Sequence, residues 1–395
     1  MLLTSLITIR QQFPRPRCAD AGETLRAELI ASGVACPPGA RIAIALGSRG
    51  IANLAVLALS LIEWIREQGG VPFVVPAMGS HGGATAEGQR QVLAGYGVSE
   101  ATMGVPIQSS LEVCEFSRGA QELPVYFDRH AAGADYTILL NRIKPHTSFH
   151  GRYESGLMKM LAIGLGKHKQ ALAIHERGVE GLRDLMPRVA KEILRQGNIL
   201  LGIGVVENAF DETMRICAIP AAEIPECEPE LLELARRNMP RLPVDDIDIL
   251  IIDEIGKDIS GLGMDPNIIG RLKIRGQIEP ERPRIKVIIV RDLSEATHGN
   301  ATGMGLADII TRRAADKIDF AVTYTNVATT GFLERAKLPL VAESDEQALA
   351  IALRACGPIP PEELRIVQIR NTLHLDEVKV SPALVVELQG RPDIV

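Results

Sequence analysis

Residues 41–85 read RIAIALGSRGIANLAVLALSLIEWIREQGGVPFVVPAMGSHGGAT, and this stretch decides the fold class. RIAIAL at 41–46 is a continuous apolar run bounded by turn residues, the pattern of a strand covered on both faces. The apolar segment from Ile51 to about Gln68 predicts a helix closed by Gly69-Gly70, and VPFVVPA at 71–77 predicts the next strand. Strand, helix and strand with short connections make a right-handed crossover between parallel strands. A first strand and a helix at 22–32 precede this unit.

Outward from it the idiom repeats. LPVYF at 123–127, DYTILL at 135–140 and ILLGIGVVEN at 199–208 read as strands, with helices from Thr85, at 178–197 and at 222–238. Met239-Pro240-Arg241-Leu242-Pro243 then breaks the chain. Beyond it DIDILIID at 246–253, RIKVIIV at 284–290, DFAVTYTN at 319–326 and RIVQIRN at 365–371 read as strands, with helices at 304–316 and 344–355. The expected fold class is α/β in two domains, 1–240 and 246–371, each a mainly parallel sheet with flanking helices, and 372–395 packs back as an extension.

Composition agrees. The 395 residues are 46% hydrophobic but only 4% aromatic, with Trp64 alone of its kind, so burial rests on aliphatic side chains. A net charge of −6 and the lack of any dense Lys/Arg block argue against a nucleic-acid or anionic-membrane partner. Cys18, Cys36, Cys114, Cys217, Cys227 and Cys356 are scattered, which fits reduced thiols and a cytoplasmic setting. No apolar run reaches the length of a membrane span.

Ligands of open parallel sheets bind at the carboxyl ends of the strands. There the chain places Arg49 in GSRG, His81 in GSHGGAT, and the segment 141–175, NRIKPHTSFHGRYESGLMKMLAIGLGKHKQALAIH. That segment holds four of the eight histidines, His146, His150, His168 and His175. His81, flanked by glycine, and His146, after Lys144-Pro145, suit general acid and base work. His168 and His175 are seven apart, so a helix would put them on one face, but not at the spacing of four usual for zinc. Lys159, between apolar neighbours, would be a neutral amine if buried and a surface snorkel if not. Gly164-Leu165-Gly166-Lys167 is a weak phosphate-cradle pattern. Arg49 and Lys257 suit a carboxylate.

Assembled, these residues resemble the lactate-racemase family over most of the chain, most strongly at 47–85 and 141–178. The resemblance implies a nickel-pincer nucleotide, pyridinium-3,5-bisthiocarboxylic acid mononucleotide carrying nickel, made by dedicated cofactor-biosynthesis enzymes. It implies Arg49 on the substrate, His81 and Pro145-His146 as the two catalytic histidines, and SGLMK placing Lys159 in a thioamide link to the cofactor. Ser155, Gly156, Gly166 and Lys167 would line the cofactor, and His175, sixteen residues after Lys159, would bind nickel. Lys257 matches a substrate lysine in general position only. The first domain would bind cofactor and catalyse, with the second closing over a cleft between the two.

Departures are present as well: Leu46 and Gly50 break the family's Asp-x-x-Arg-Pro pattern, and the longer segment from His146 to Lys159 adds His150 and Arg152. The expected activity is racemisation or epimerisation of some other 2-hydroxy acid or sugar acid by hydride abstraction and return, with a homodimer left open. The alternatives are a divalent-metal hydrolase or lyase using His146, His150 and His175, or a metabolite-binding protein without chemistry.

Overall fold

The computed structural model describes residues 6–48, 50–118 and 124–395. They fall into two compact units, Arg15–Met239 and a second built from Met1–Pro14 with Pro240–Val395. The first strand, β1 (Ile7–Arg10), is part of the second of these, unlike the expected 1–240 domain. Its backbone pairs with the end of the chain, as described below.

The unit 15–239 holds β2 (Arg41–Leu46), β3 (Val71–Pro76), β4 (Val113–Arg118), β5 (Pro124–Asp128), β6 (Tyr136–Arg142), β7 (Ile199–Glu207) and β8 (Thr213–Pro220). Its five-stranded sheet runs β3-β2-β6-β7-β8, parallel except for β8. The helix Leu54–Glu67 joins β2 to β3 and lays Leu57, Leu61 and Ile65 on Ile42, Ile44 and Leu46, all fully buried. Each such side chain contributes roughly 2 kcal/mol through burial, so this crossover is among the firmest parts of the unit. β4 and β5 form a separate antiparallel pair, so of the expected strand LPVYF the residues from Pro124 on are a strand outside the main sheet, and Leu123 lies outside the described residues.

The other unit holds β9 (Asp246–Ile252), β10 (Arg284–Val290), β11 (Ile309–Thr311), β12 (Leu340–Ala342), β13 (Ile366–Ile369) and β14 (Glu377–Val380). Its sheet runs β1-β14-β13-β9-β10-β11-β12, with a parallel centre and an antiparallel edge made by β14 and β1. The extension at 372–395 thus contributes a strand and then the helix Pro382–Leu388.

Two expectations fail here. DFAVTYTN is not a strand: Phe320–Thr330 is a helix, begun by Asp319, whose carboxylate accepts the Val322 N–H at 3.0 Å, and ended by Gly331 at φ 74°. The two caps outweigh the strand preference of its β-branched residues. The helix expected at 304–316 is instead a single turn at Met304–Leu306, then β11, then the short helix Arg312–Asp316. Its apolar period came from a buried strand beside a turn.

Candidate active site

In the unit 15–239, β2 lies between β3 and β6, so the loops leaving their carboxyl ends are neighbours. Contacts bear this out. The Ser48 hydroxyl after β2 is hydrogen-bonded to His81 Nδ1 after β3, and the Tyr96 hydroxyl donates to Ser48 O at 3.1 Å. Asn141 at the end of β6 donates to Gly156 O at 2.9 Å and sits against Gly47, where a Cβ would lie 2.9 Å from its Oδ1.

His81 is exposed on a turn that its glycines make possible. Gly82 takes φ +67°, and a Cβ on Gly88 would lie 1.9 Å from Gly82 O, so the turn and the helix Ala86–Gly95 interlock through backbone. Thr85 caps that helix by accepting the Gly88 N–H at 3.0 Å, and buried Gln89 donates to Gly79 O and His81 O. Beside the turn an open pocket of about 610 Å³ is lined by Gly82, Thr85, Glu87, Gly88, Gln91 and Val92.

The loop after β6 is closed by a two-bond bridge between Lys144 and Ser155. Within it Glu154 has no exposed side-chain surface and accepts the N–H of His146 at 2.6 Å and of Gly151 at 3.1 Å. It also meets His150 Nδ1 at 3.2 Å and the Arg236 guanidinium. Burial pushes the Glu154 carboxyl up, but the His150 and His146 hydrogen bonds and the charges of His150 and Arg236 outweigh it and hold the group below its ordinary value. His146 is half-buried, its ring tilted on Phe149 with centroids 4.6 Å apart.

Lys159 follows on a short helical turn that opens into a wide π-type turn at Met160–Gly164. Such insertions often accompany sites. The turn packs under the His81 loop: Gly79 N–H donates to Gly164 O at 3.2 Å, and a Cβ on Gly164 would lie 2.7 Å from Ala77 O. At the head of Lys159's turn the fully buried Glu228 accepts the Met158 N–H at 2.8 Å, in space that a Cβ on Gly156 would invade at 2.3 Å. Burial pushes Glu228 up to about 8 against the pull of the Met158 and Leu157 N–H groups.

The helix Lys167–His175 brings His175 within range of the charge of Lys159. Burial, and then the charge of Lys159, push the half-buried His175 down to about 4, so its imidazole is neutral at pH 7. His168 Nδ1, on the same helix, is buried without a hydrogen-bond partner. Lys167, expected to line a cofactor, is instead wholly buried at φ +54°. Its ammonium binds Asp128 at 3.1 Å, Pro76 O and Gln89 Oε1, so it ties β3, β5 and the helix after His81 together. Gly166 is buried, and a Cβ there would strike Ala162 O at 2.2 Å, so packing alone accounts for it.

Arg49 lies outside the described residues. Lys257 belongs to the other unit, where its ammonium donates to Gly261 O at 2.7 Å. Among the described residues no group of three or more His, Cys, Asp or Glu side chains is placed to hold a metal ion, so His146, His150 and His175 make no ready ligand set. Also among them, no helix is long and apolar enough to cross a membrane. Ser48, Glu154, Gln89 and Glu228 had not been singled out from sequence. Only Glu154, four residues after His150, left a local signal.

No family model and no curated protein sequence matches the chain. A crystal structure of a Thermotoga maritima protein is similar at TM-score 0.47, with 12% identity over 71% of each chain. The lactate racemase apoprotein from Thermoanaerobacterium thermosaccharolyticum is similar at TM-score 0.55, with 12% identity over 92% of this chain and 98% of that one. The chain therefore shares the α/β fold of a lactate racemase structure over nearly its whole length.

Proposed function

We propose that the chain is a racemase or epimerase of a 2-hydroxy acid or sugar acid, working with a nickel-pincer nucleotide. The observation that carries this reading is a neutral His175 within range of the charge of Lys159, on a helix whose Ala171 lies against Gly79 of the His81 loop, in a chain with the lactate racemase fold. The donor set fits the group: a neutral imidazole is the form that ligates nickel, and a primary amine is the form that makes a thioamide. His175 would bind the metal, Lys159 would hold the nucleotide, and Ser155 and Gly156 would border it. When bound, that cofactor supplies a hydride acceptor for the substrate's carbinol carbon.

The chain's own residues supply the rest. A 2-hydroxy acid holds its Cα–H too firmly for simple deprotonation, so the protein's task is to bind the carboxylate and manage the hydroxyl proton. Arg49 is assigned the carboxylate through paired hydrogen bonds. His81 and His146 are assigned the hydroxyl oxygen. Lys167 is left a structural part, because its ammonium is already held on all sides.

The test is intact mass, peptide mapping and metal analysis of protein co-expressed with the cofactor-making enzymes. A mass increment on Lys159 with stoichiometric nickel is expected, both lost in Lys159→Ala, while His175→Ala keeps the increment and loses the nickel. An unmodified Lys159, in a preparation where a known lactate racemase loads, overturns the reading.

A further inference from the structure

His81 and His146 stand in unlike hydrogen-bond settings. His146 Nδ1 accepts the backbone N–H of Ser148 at 3.0 Å. A backbone N–H only donates, so Nδ1 keeps its lone pair and the ring's single proton sits on Nε2. Charging the ring, or moving its proton to Nδ1, requires breaking that bond. The loop resists this: buried Glu154 holds the N–H groups of His146 and Gly151 and is itself held by Arg236 and His150, while Phe149 lies against the ring.

His81 has the opposite arrangement. Its Nδ1 meets the hydroxyl of Ser48, which donates to a bare nitrogen and accepts from a protonated one after turning about a single bond. Both protonation states of His81 are therefore served in place.

We propose that His81 alone carries the exchangeable proton, and that His146 is a fixed Nε2–H donor held neutral by the Glu154-clamped loop, an assignment of roles that rests on the racemase reading above. In the forward step His81 begins with its proton on Nδ1 and a bare Nε2: the substrate's O–H bond breaks, its proton bonds to Nε2, and the ring becomes charged with Nδ1–H donating to Ser48 Oγ before and after. In the return step the same proton goes back to that oxygen. His146 Nε2–H donates a hydrogen bond to the oxygen throughout, and no bond to its own proton is broken. Glu154 is a positioning residue: it touches the loop, not the substrate.

Nitrogen-15 spectra of the full chain with labelled histidines test this without any cofactor, the His146 signals being assigned by their loss in His146→Gln. The expected result is a bare Nδ1 and a protonated Nε2 in His146, unmoved between about pH 6 and 8, where an ordinary histidine titrates. In Glu154→Gln, which offers one acceptor in place of a carboxylate, His146 should begin to titrate. Should that variant not fold, the wild-type spectrum still decides. A His146 protonated on Nδ1, or titrating like an exposed histidine, overturns the proposal. In the loaded enzyme, His146→Gln keeps an amide donor and should retain turnover within about tenfold, whereas His81→Gln should lose at least about a hundredfold; the reverse order overturns the assignment. Failure of Lys159 to load would sink the racemase reading and leave the tautomer result standing.

Discussion

Replacing Glu228 by Gln should make this protein more stable at neutral pH. The carboxyl is fully buried at the head of the turn that carries Lys159, and burial raises it from 4.5 to about 8. Because the folded-state value lies above the unfolded one, the group is most favourable below pH of about 4.5, loses ground steadily as pH rises, and levels off above about 8. At about 1.4 kcal/mol per unit, the loss by pH 7 is roughly 3 kcal/mol. Gln is neutral throughout and its oxygen can still accept the Met158 N–H, but its amide N–H₂ lacks a partner, at a cost of about 1 kcal/mol. The net expectation is a gain of about 2 kcal/mol at pH 7, or a midpoint raised by roughly 5 °C, shrinking to nothing or reversing near pH 5. Trp64, the single tryptophan, is buried in the same unit and reports its unfolding directly. Urea and thermal curves of both proteins between about pH 5 and 9 would isolate the difference due to this one side chain. A difference that does not grow with pH refutes the reasoning, since it would mean that the carboxylate is well solvated or paired at that position.

Lys167→Met leaves Asp128 buried without its cation and should cost roughly 3–5 kcal/mol in Trp64-monitored unfolding; an unchanged midpoint would show the pair to be dispensable. Gly88→Ala drives a Cβ into Gly82 O, which is backbone and cannot step aside, so limited proteolysis should cut near His81 in the variant and not in the wild type. Asp319→Ala removes a helix cap and should destabilise its unit by about 1 kcal/mol in denaturant unfolding, whereas in a strand the change would be near neutral.

Strands such as 41–46 and 284–290 were legible because continuous aliphatic runs flanked by turn residues admit few other structures. The candidate loops were legible for a related reason: parallel topology fixes which strand ends adjoin, and the Ser48–His81 bond is the result. Polar residues whose partners are remote in sequence were not. Glu228 meets Met158 from seventy residues away, and Lys167 was read by its glycine neighbours when its burial depends on Asp128, Pro76 and Gln89. The helix at 320–330 shows the same limit in backbone form, since its interior favours a strand and only its two ends decide otherwise.

The pairing of β1 with β14 sets a timetable for synthesis. Residues 7–10 are made long before their partners at 377–380, and Arg10 exchanges backbone hydrogen bonds with Val395. The sheet of that unit therefore cannot be finished until residue 380 has been made, whereas the unit 15–239 is drawn from one continuous segment that ends at Met239. Until then β1 has no partner and β13 keeps one edge unpaired, and a fragment beginning at Pro240 would leave the β1 edge of β14 open to other strands.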